Sequence, residues 1–305
     1  MAHRHDHGGD GRRRAGRRLR LSLLLTLFLF VVEAVGGYLS GSLALLSDAG
    51  HMLSDAGALL VSFFALLIAQ RPANPRKTYG YYRAEILAAV GNALALLLLT
   101  GFIVYEAIGR LLRPPEVSVV PMLAIAGAGL ASNAASLLLL RSECANLNVR
   151  AAFLHVVGDL VSSVAVVLSG LLMLATGSYV LDPIASLCIA LLIVIGALRI
   201  LREAVDVLLE ATPPGTNIVD VERALRSVEG ISAVHDLHVW TITSGMDALS
   251  AHVIVKPERL ADSHRILNDL KLVLLERFAI DHTTIQIEPE GFEHVGEVHA
   301  AHVAD

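Results

Sequence analysis

Up to about residue 211 the chain alternates long apolar runs with short polar breaks, and beyond it the apolar positions fall at strand and helix spacing. Runs long enough to cross about 30 Å of hydrocarbon cover 19–39, 43–69, 84–112, 119–140, 149–174 and 180–201. The breaks between them carry turn chemistry: Gly36-Gly37-Tyr38-Leu39-Ser40-Gly41, Arg71-Pro72-Ala73-Asn74-Pro75, Pro114-Pro115 and Thr176-Gly177-Ser178. The pattern predicts an all-α six-helix transmembrane domain over 19–211, preceded by a disordered His/Arg-rich arm over 1–18. Pro213-Pro214-Gly215 then breaks from the last span. The remainder reads helix 217–228, strand 231–242, strand 246–255, helix 259–278, strand 282–288, with apolar positions at Val234, Leu237, Val239 and Ile242, then Ala251, Val253 and Val255. That order predicts a small α+β domain over 212–290 and a disordered tail over 291–305.

Composition sharpens this division. The chain is 54% hydrophobic and 17% charged, more apolar than an average soluble domain. Residues up to 211 hold 17 basic and 14 acidic side chains, and those after it hold 7 and 15. An acidic tail argues against nucleic acid and for cations. Arg17, Arg18 and Arg20 precede the first run as in a signal peptide, but the run continues from Leu19 to near Tyr38, beyond a 7–15-residue h-region. Basic residues crowd one set of loops: six arginines before the first span and Arg20 at its start, Arg71, Arg76, Lys77 and Arg83 between the second and third, Arg141 and Arg150 between the fourth and fifth, and Arg199 and Arg202 at the end of the sixth. The positive-inside rule therefore places both termini in the cytoplasm. The two cysteines, Cys144 and Cys188, read as small apolar residues.

Two spans carry the same ionisable pattern. The second contains His51-x-x-x-Asp55 and the fifth His155-x-x-x-Asp159. Spacing of i to i+4 puts each pair on one helix face, and such residues in hydrocarbon are costly and usually functional. At 1.5 Å per residue, His51 and Asp55 lie roughly 12 and 18 Å below the outer end of their span, and His155 and Asp159 roughly 9 and 15 Å above the inner end of theirs. Two antiparallel helices can thus offer two imidazoles and two carboxylates at the midplane, a set suited to tetrahedral Zn2+. The bland reading, two unrelated pairs satisfied by neighbouring helices, is hard to reconcile with matched spacing and depth. Metal needs neutral imidazole and ionised carboxylate, so loading releases protons. With no P-loop in the sequence, a proton gradient is the economical drive. A hydrolytic zinc enzyme would want His-Glu-x-x-His and an open ligand position, and the motif is lacking. A membrane-bound metal sensor without transport is the surviving rival. Asp48 could line an exit path, Glu33 and Glu106 are further intramembrane acids with structural pairing equally open, and Asp182 reads as a helix cap.

These segments resemble a known family. Gly41 to Ala49 leading into His51 and Asp55, Tyr79-Gly80-Tyr81-Tyr82-Arg83-Ala84-Glu85, Asn148 to Asp159, Leu181-Asp182-Pro183, His235 to Trp240 and His282 to Glu288 are similar to the cation diffusion facilitators, above all the bacterial zinc/cadmium/cobalt efflux branch. The resemblance covers about residues 16–290. It implies a homodimeric metal/proton antiporter of the bacterial inner membrane with a ferredoxin-like cytoplasmic domain. It also implies a transport site on His51, Asp55, His155 and Asp159, with His at the first position going with zinc. Zinc is then cargo and a regulatory ligand, and no other cofactor is implied. By the same resemblance His235, His252 and Glu288 match cytoplasmic metal positions, with His238, His264 and His282 nearby as possible ligands. The loop 71–78 lacks carboxylate and imidazole, so the additional ion that some members hold there is expected to be absent. His3, His5 and His7 could form a metal-collecting arm, and eight of the 13 histidines follow residue 212, His294, His299 and His302 among them.

Overall fold

A computed structural model describes residues 27–140 and 147–292 of the chain. The arm over 1–18, the start of the first span, Cys144 and the tail from 293 onward lie outside the described residues. The elements in order are α1 (Leu27–Ser40), α2 (Leu43–Ala69), α3 (Ala84–Leu112), α4 (Val119–Leu140), α5 (Leu147–Thr176), α6 (Leu181–Leu208), α7 (Ile218–Arg226), β1 (Ile231–Thr243), β2 (Met246–Val255), α8 (Ser263–Phe278) and β3 (His282–Pro289). A short 3-10 turn over Pro257–Asp262 leads into α8. The residues divide into two compact units, 1–63 with 91–201, and 64–90 with 202–305.

Four described helices are long and apolar enough to cross a membrane: α3, α4 over Val119–Leu138, α5 over Val156–Thr176, and α6. The described part of α1 is shorter. In the first unit, small and apolar side chains from several helices interlock: Ala44 and Leu45 of α2, Met122 and Ala126 of α4, Val166 and Met173 of α5, Ile189 and Ala197 of α6. Small residues let helix backbones approach closely where lipid supplies no hydrophobic drive. Gly170 of α5 is such a place, since a Cβ there would lie 2.6 Å from Leu123 Cδ2 and 2.8 Å from its Cγ. The outward faces are apolar as well: Leu98 is 77% exposed and Tyr105 75%, a surface suited to lipid rather than water.

The α+β part of the second unit follows the predicted order. Val221 and Leu225 of α7 and Ile266, Leu270 and Leu274 of α8 pack with Val234, Val239, Leu249, Ala251 and Val253 of the sheet. The sheet order is β1-β2-β3, with β1 antiparallel and β3 parallel to β2. Asn217 caps α7 by accepting from the Val219 N–H. Helix α8 starts at Ser263 rather than 259 because Pro257 stands at the start of the turn before it, and that segment tightens to 3-10 geometry. The apolar steps in β1 run 234, 237, 239, 242, three-two-three rather than a steady two. Register shifts fall at both three-residue steps, between His235 and His238 and between Thr241 and Thr243. Each bulge restores the inward phase after an extra residue.

Candidate metal centres

The first centre forms where α2 meets α5. Helix α2 begins at a strongly defined cap. Ser42 Oγ accepts from the Leu45 N–H at 3.2 Å, the usual role of an N-cap serine. The Asp182 carboxylate of α6 accepts from Leu43 N at 2.7 Å, Ala44 N at 3.3 Å and Ser42 Oγ at 2.6 Å. Asp182 is therefore a helix cap, but of α2 rather than of its own helix, and its negative charge also opposes the positive end of the α2 dipole. One turn further in, Asp48 is 2% exposed and accepts from Ser162 Oγ at 2.5 Å and Ser163 Oγ at 3.4 Å. Asn133 Nδ2 of α4 donates to Ser163 Oγ at 3.0 Å. Asp48 thus sits in a hydroxyl cradle across the seam, where an unpartnered carboxylate would be costly.

His51 follows on the next turn, its Nε2 3.8 Å from Asp159 Oδ1. Asp159 is 2% exposed. Position 48 faces 162 and position 51 faces 159, so the two helices run antiparallel here. Ligand atoms about 2.0–2.1 Å from a tetrahedral ion lie about 3.3 Å apart; the His51–Asp159 gap is slightly wider than that. Asp55 lies four residues further along α2 and His155 four residues back along α5, and the side chains of both lie outside the described residues.

Glu106 accepts from Arg110 Nε at 2.9 Å, and Arg110 Nη1 donates to the Gly41 carbonyl at 2.6 Å. Glu33 is 1% exposed and packs over Gly129, where a Cβ would lie 2.4 Å from Glu33 Oε1.

The second centre lies on the sheet face opposite α7 and α8. His235 follows core residue Val234, His252 lies between Ala251 and Val253, and Glu288 follows Ile287, so alternation turns all three away from the helices. Register sets His235 against His252 and Ile254 against Glu288. Glu288 Oε2 is 3.0 Å from His235 Nε2, and Oε1 is 2.9 Å from His252 Nδ1. One nitrogen from each imidazole and one carboxylate oxygen lie within 4.8 Å of one another, a donor set that fits Zn2+. Gln286 Nε2 also donates to Glu288 Oε1 at 2.8 Å.

The other three histidines are placed apart from this trio. His238 Nε2 lies 2.9 Å from Asp236 Oδ1. His264 is exposed on α8, its Nδ1 3.4 Å from Asn268 Nδ2. His282 meets the Tyr79 ring edge-on at 5.6 Å between centroids. Sequence reasoning missed Asp236, whose carboxyl is held below its ordinary range by the hydrogen bond with His238, with burial opposing and the charges of His238, His252 and His235 assisting. It also missed Glu85, which accepts from Thr243 Oγ1 at 2.9 Å and Ser244 Oγ at 3.3 Å in the β1–β2 turn. Arg83 adds a bond to Glu210 at 2.8 Å.

Comparison with known proteins finds matches to both parts of the chain. Residues 19–209 match the cation efflux transmembrane domain, and residues 213–290 match the cation efflux protein cytoplasmic domain. The chain is 40% identical over 298 residues to the "Cadmium, cobalt and zinc/H(+)-K(+) antiporter" of Bacillus subtilis, covering 96% of this chain and 94% of that protein. It is 39% identical to the "Metal cation efflux system protein CzcD" of Cupriavidus metallidurans, covering 94% and 89%. It is 41% identical to the "Zinc transporter ZitB" of Escherichia coli, covering 94% and 93%. Among solved structures, the metal-bound C-terminal domain of the Cupriavidus CzcD transporter matches at 34% identity and a TM-score of 0.23, covering 24% of this chain and 99% of that one.

Proposed function

The chain belongs to the cation efflux family, whose members are transporters and not enzymes, and on that premise we propose that it exports divalent metal in exchange for protons. Zn2+ is the first cargo, with Cd2+ and Co2+ as further substrates. The names of its relatives support transport over a sensor that moves nothing. The observation that carries the reading is the antiparallel seam of α2 and α5, with His51 Nε2 3.8 Å from Asp159 Oδ1. Asp55 and His155 each lie one turn from this contact in sequence, and we assign them to the same site. The four side chains then hold one ion, and α1 to α6 are its six spans.

The chemistry of the donors supplies the coupling. An imidazole must be neutral and a carboxylate ionised to bind the ion, so protons and metal compete for the same atoms. A site open alternately to each side exchanges one for the other, and proton entry drives metal out. Both termini face the cytoplasm of the bacterial inner membrane, following the loop arginines. The second domain, ferredoxin-like and dimerising, binds regulatory zinc through His235, His252 and Glu288. Proteoliposomes with an imposed pH gradient test the reading. Uptake of 65Zn by the parent and its loss in Asp55→Ala and Asp159→Ala are expected, whereas parental uptake by both variants would overturn the site.

A further inference from the structure

One turn from the His51–Asp159 contact, the helical unit buries a pair of acids that ligate nothing in the proposed site. Asp48 of α2 and Glu33 of α1 are 2% and 1% exposed, and their carboxyl groups lie within hydrogen-bonding reach of one another. Gly129 of α4 makes room for the second of them, since a Cβ there would lie 2.4 Å from Glu33 Oε1. Acids inside membrane spans are costly, so a buried pair needs a reason.

The surroundings of the two carboxyls differ. Asp48 Oδ1 accepts from Ser162 Oγ at 2.5 Å and Oδ2 from Ser163 Oγ at 3.4 Å. Asn133 Nδ2 donates to Ser163 Oγ at 3.0 Å, which leaves the Ser163 proton for Asp48. Glu33 Oε2 meets no N–H or O–H among the described residues. Carboxylates only accept hydrogen bonds, so two ionised ones bring no donor to their contact. One proton joins them. The serine hydroxyls stabilise Asp48 as the charged member, and Glu33 keeps the proton and donates it. A glutamine would make the same bond with nothing to exchange, so a purely structural tie gives no reason for an acid.

Charge connects that proton to the metal. Asp159 of α5 acts electrostatically on both members of the pair, and His51 of α2 acts on Asp48. From α4 the pair is faced by neutral Asn133 and Gly129. A divalent ion between His51 and Asp159 favours negative charge on Glu33, and its departure disfavours it.

We propose that Glu33, hydrogen-bonded to Asp48, carries one of the exchanged protons on a group that does not ligate the metal. The proposal rests on the transport reading above. As the ion loads, the Glu33 carboxyl ionises and its proton leaves to water on the side from which the metal came. After the ion has left on the opposite side, a proton from there restores the carboxyl. This proton adds to any exchanged by the metal ligands themselves.

Glu33→Gln keeps the size of the side chain and a donor toward Asp48 but has no proton to release. A pH-indicator dye reads the protons freed as Zn2+ is added near neutral pH to full-length protein in detergent. The cytoplasmic centre is removed for this by His235→Gln, His252→Gln and Glu288→Gln. Glu33→Gln is expected to bind zinc and to free about one proton fewer per ion. In proteoliposomes its limiting accumulation of 65Zn should fall about tenfold for each unit of imposed pH gradient. Exchange of 65Zn for unlabelled zinc without a gradient should persist. Glu33→Asp retains an exchangeable proton and should keep the parental count. Parental proton release in Glu33→Gln overturns the proposal, as does loss of its zinc binding or a deficit as large in Glu33→Asp. In each case accumulation by the parent leaves the transport reading in place. A parent that accumulates no 65Zn overturns that reading instead.

Discussion

His51 of α2 and Asp159 of α5 face one another across 3.8 Å in the interior of the helical unit, although 108 positions separate them in the chain. An imidazole and a buried carboxylate at that distance hold either a proton or a metal ion between them. Zinc binding is therefore expected to weaken as pH falls, because protons and metal compete for the same donor atoms. Zinc titrations of the parent between pH 5.5 and 7.5 check this, and His51→Ala should lower the slope. A pH-independent affinity would contradict it.

His51→Asp should change selectivity more than it changes transport. An oxygen donor replaces the borderline nitrogen, and nitrogen donors suit zinc while oxygen suits harder ions. The ratio of zinc to manganese uptake in proteoliposomes is expected to fall by at least about tenfold, the equivalent of about 1.4 kcal/mol.

Asp182→Ala removes three bonds to the start of α2, the helix that carries His51, and leaves Leu43 N and Ala44 N buried without their acceptor. The expected loss is about 3 kcal/mol. Thermal unfolding in detergent should rank the parent above Asp182→Asn and Asp182→Ala lowest, because the amide keeps one acceptor.

Two glycines give opposite expectations. Gly170→Ala sets a methyl against Leu123 at 2.6 Å and should destabilise by about 1–3 kcal/mol. Gly127→Ala meets nothing within 4 Å and should stabilise by about 1 kcal/mol through helix propensity. The same unfolding measurement reads both.

Glu288→Gln should abolish zinc-dependent stabilisation of the cytoplasmic domain. At a zinc concentration about 100-fold above Kd, the parent gains about 2.7 kcal/mol by mass action. In a background of Asp55→Ala and Asp159→Ala, which removes the transport site, melting curves with zinc and with chelator should coincide when Glu288→Gln is present and separate in its absence.

Much of this architecture was legible in the residues. Apolar run lengths placed α2, α3 and α4 at their observed bounds, and period-two alternation placed β2, because burial in lipid or against two helices dictates side-chain polarity position by position. The matched His-x-x-x-Asp pairs pointed to α2 and α5, which the structure brings together at His51 and Asp159. Contacts between distant segments left weaker traces. That Asp182 caps α2 depends on how α6 lies beside it, and no local pattern encodes that. Helix α6 runs on to Leu208, past the end of its apolar run, since a helix can leave a membrane without ending. The bulge at Asp236 did leave a trace, the three-residue step from Val234 to Leu237, which breaks strand periodicity where the histidines cluster.

The most direct test of the account is zinc-edge X-ray absorption on full-length protein with the cytoplasmic ligands removed by His235→Gln, His252→Gln and Glu288→Gln, loaded with one zinc ion per chain. The spectrum should show two imidazole nitrogens and two carboxylate oxygens at about 2.0–2.1 Å, with one imidazole lost in His51→Ala and one oxygen in Asp159→Ala. A first shell of water oxygens, or one unaltered by either substitution, would mean that the ion does not reside between α2 and α5.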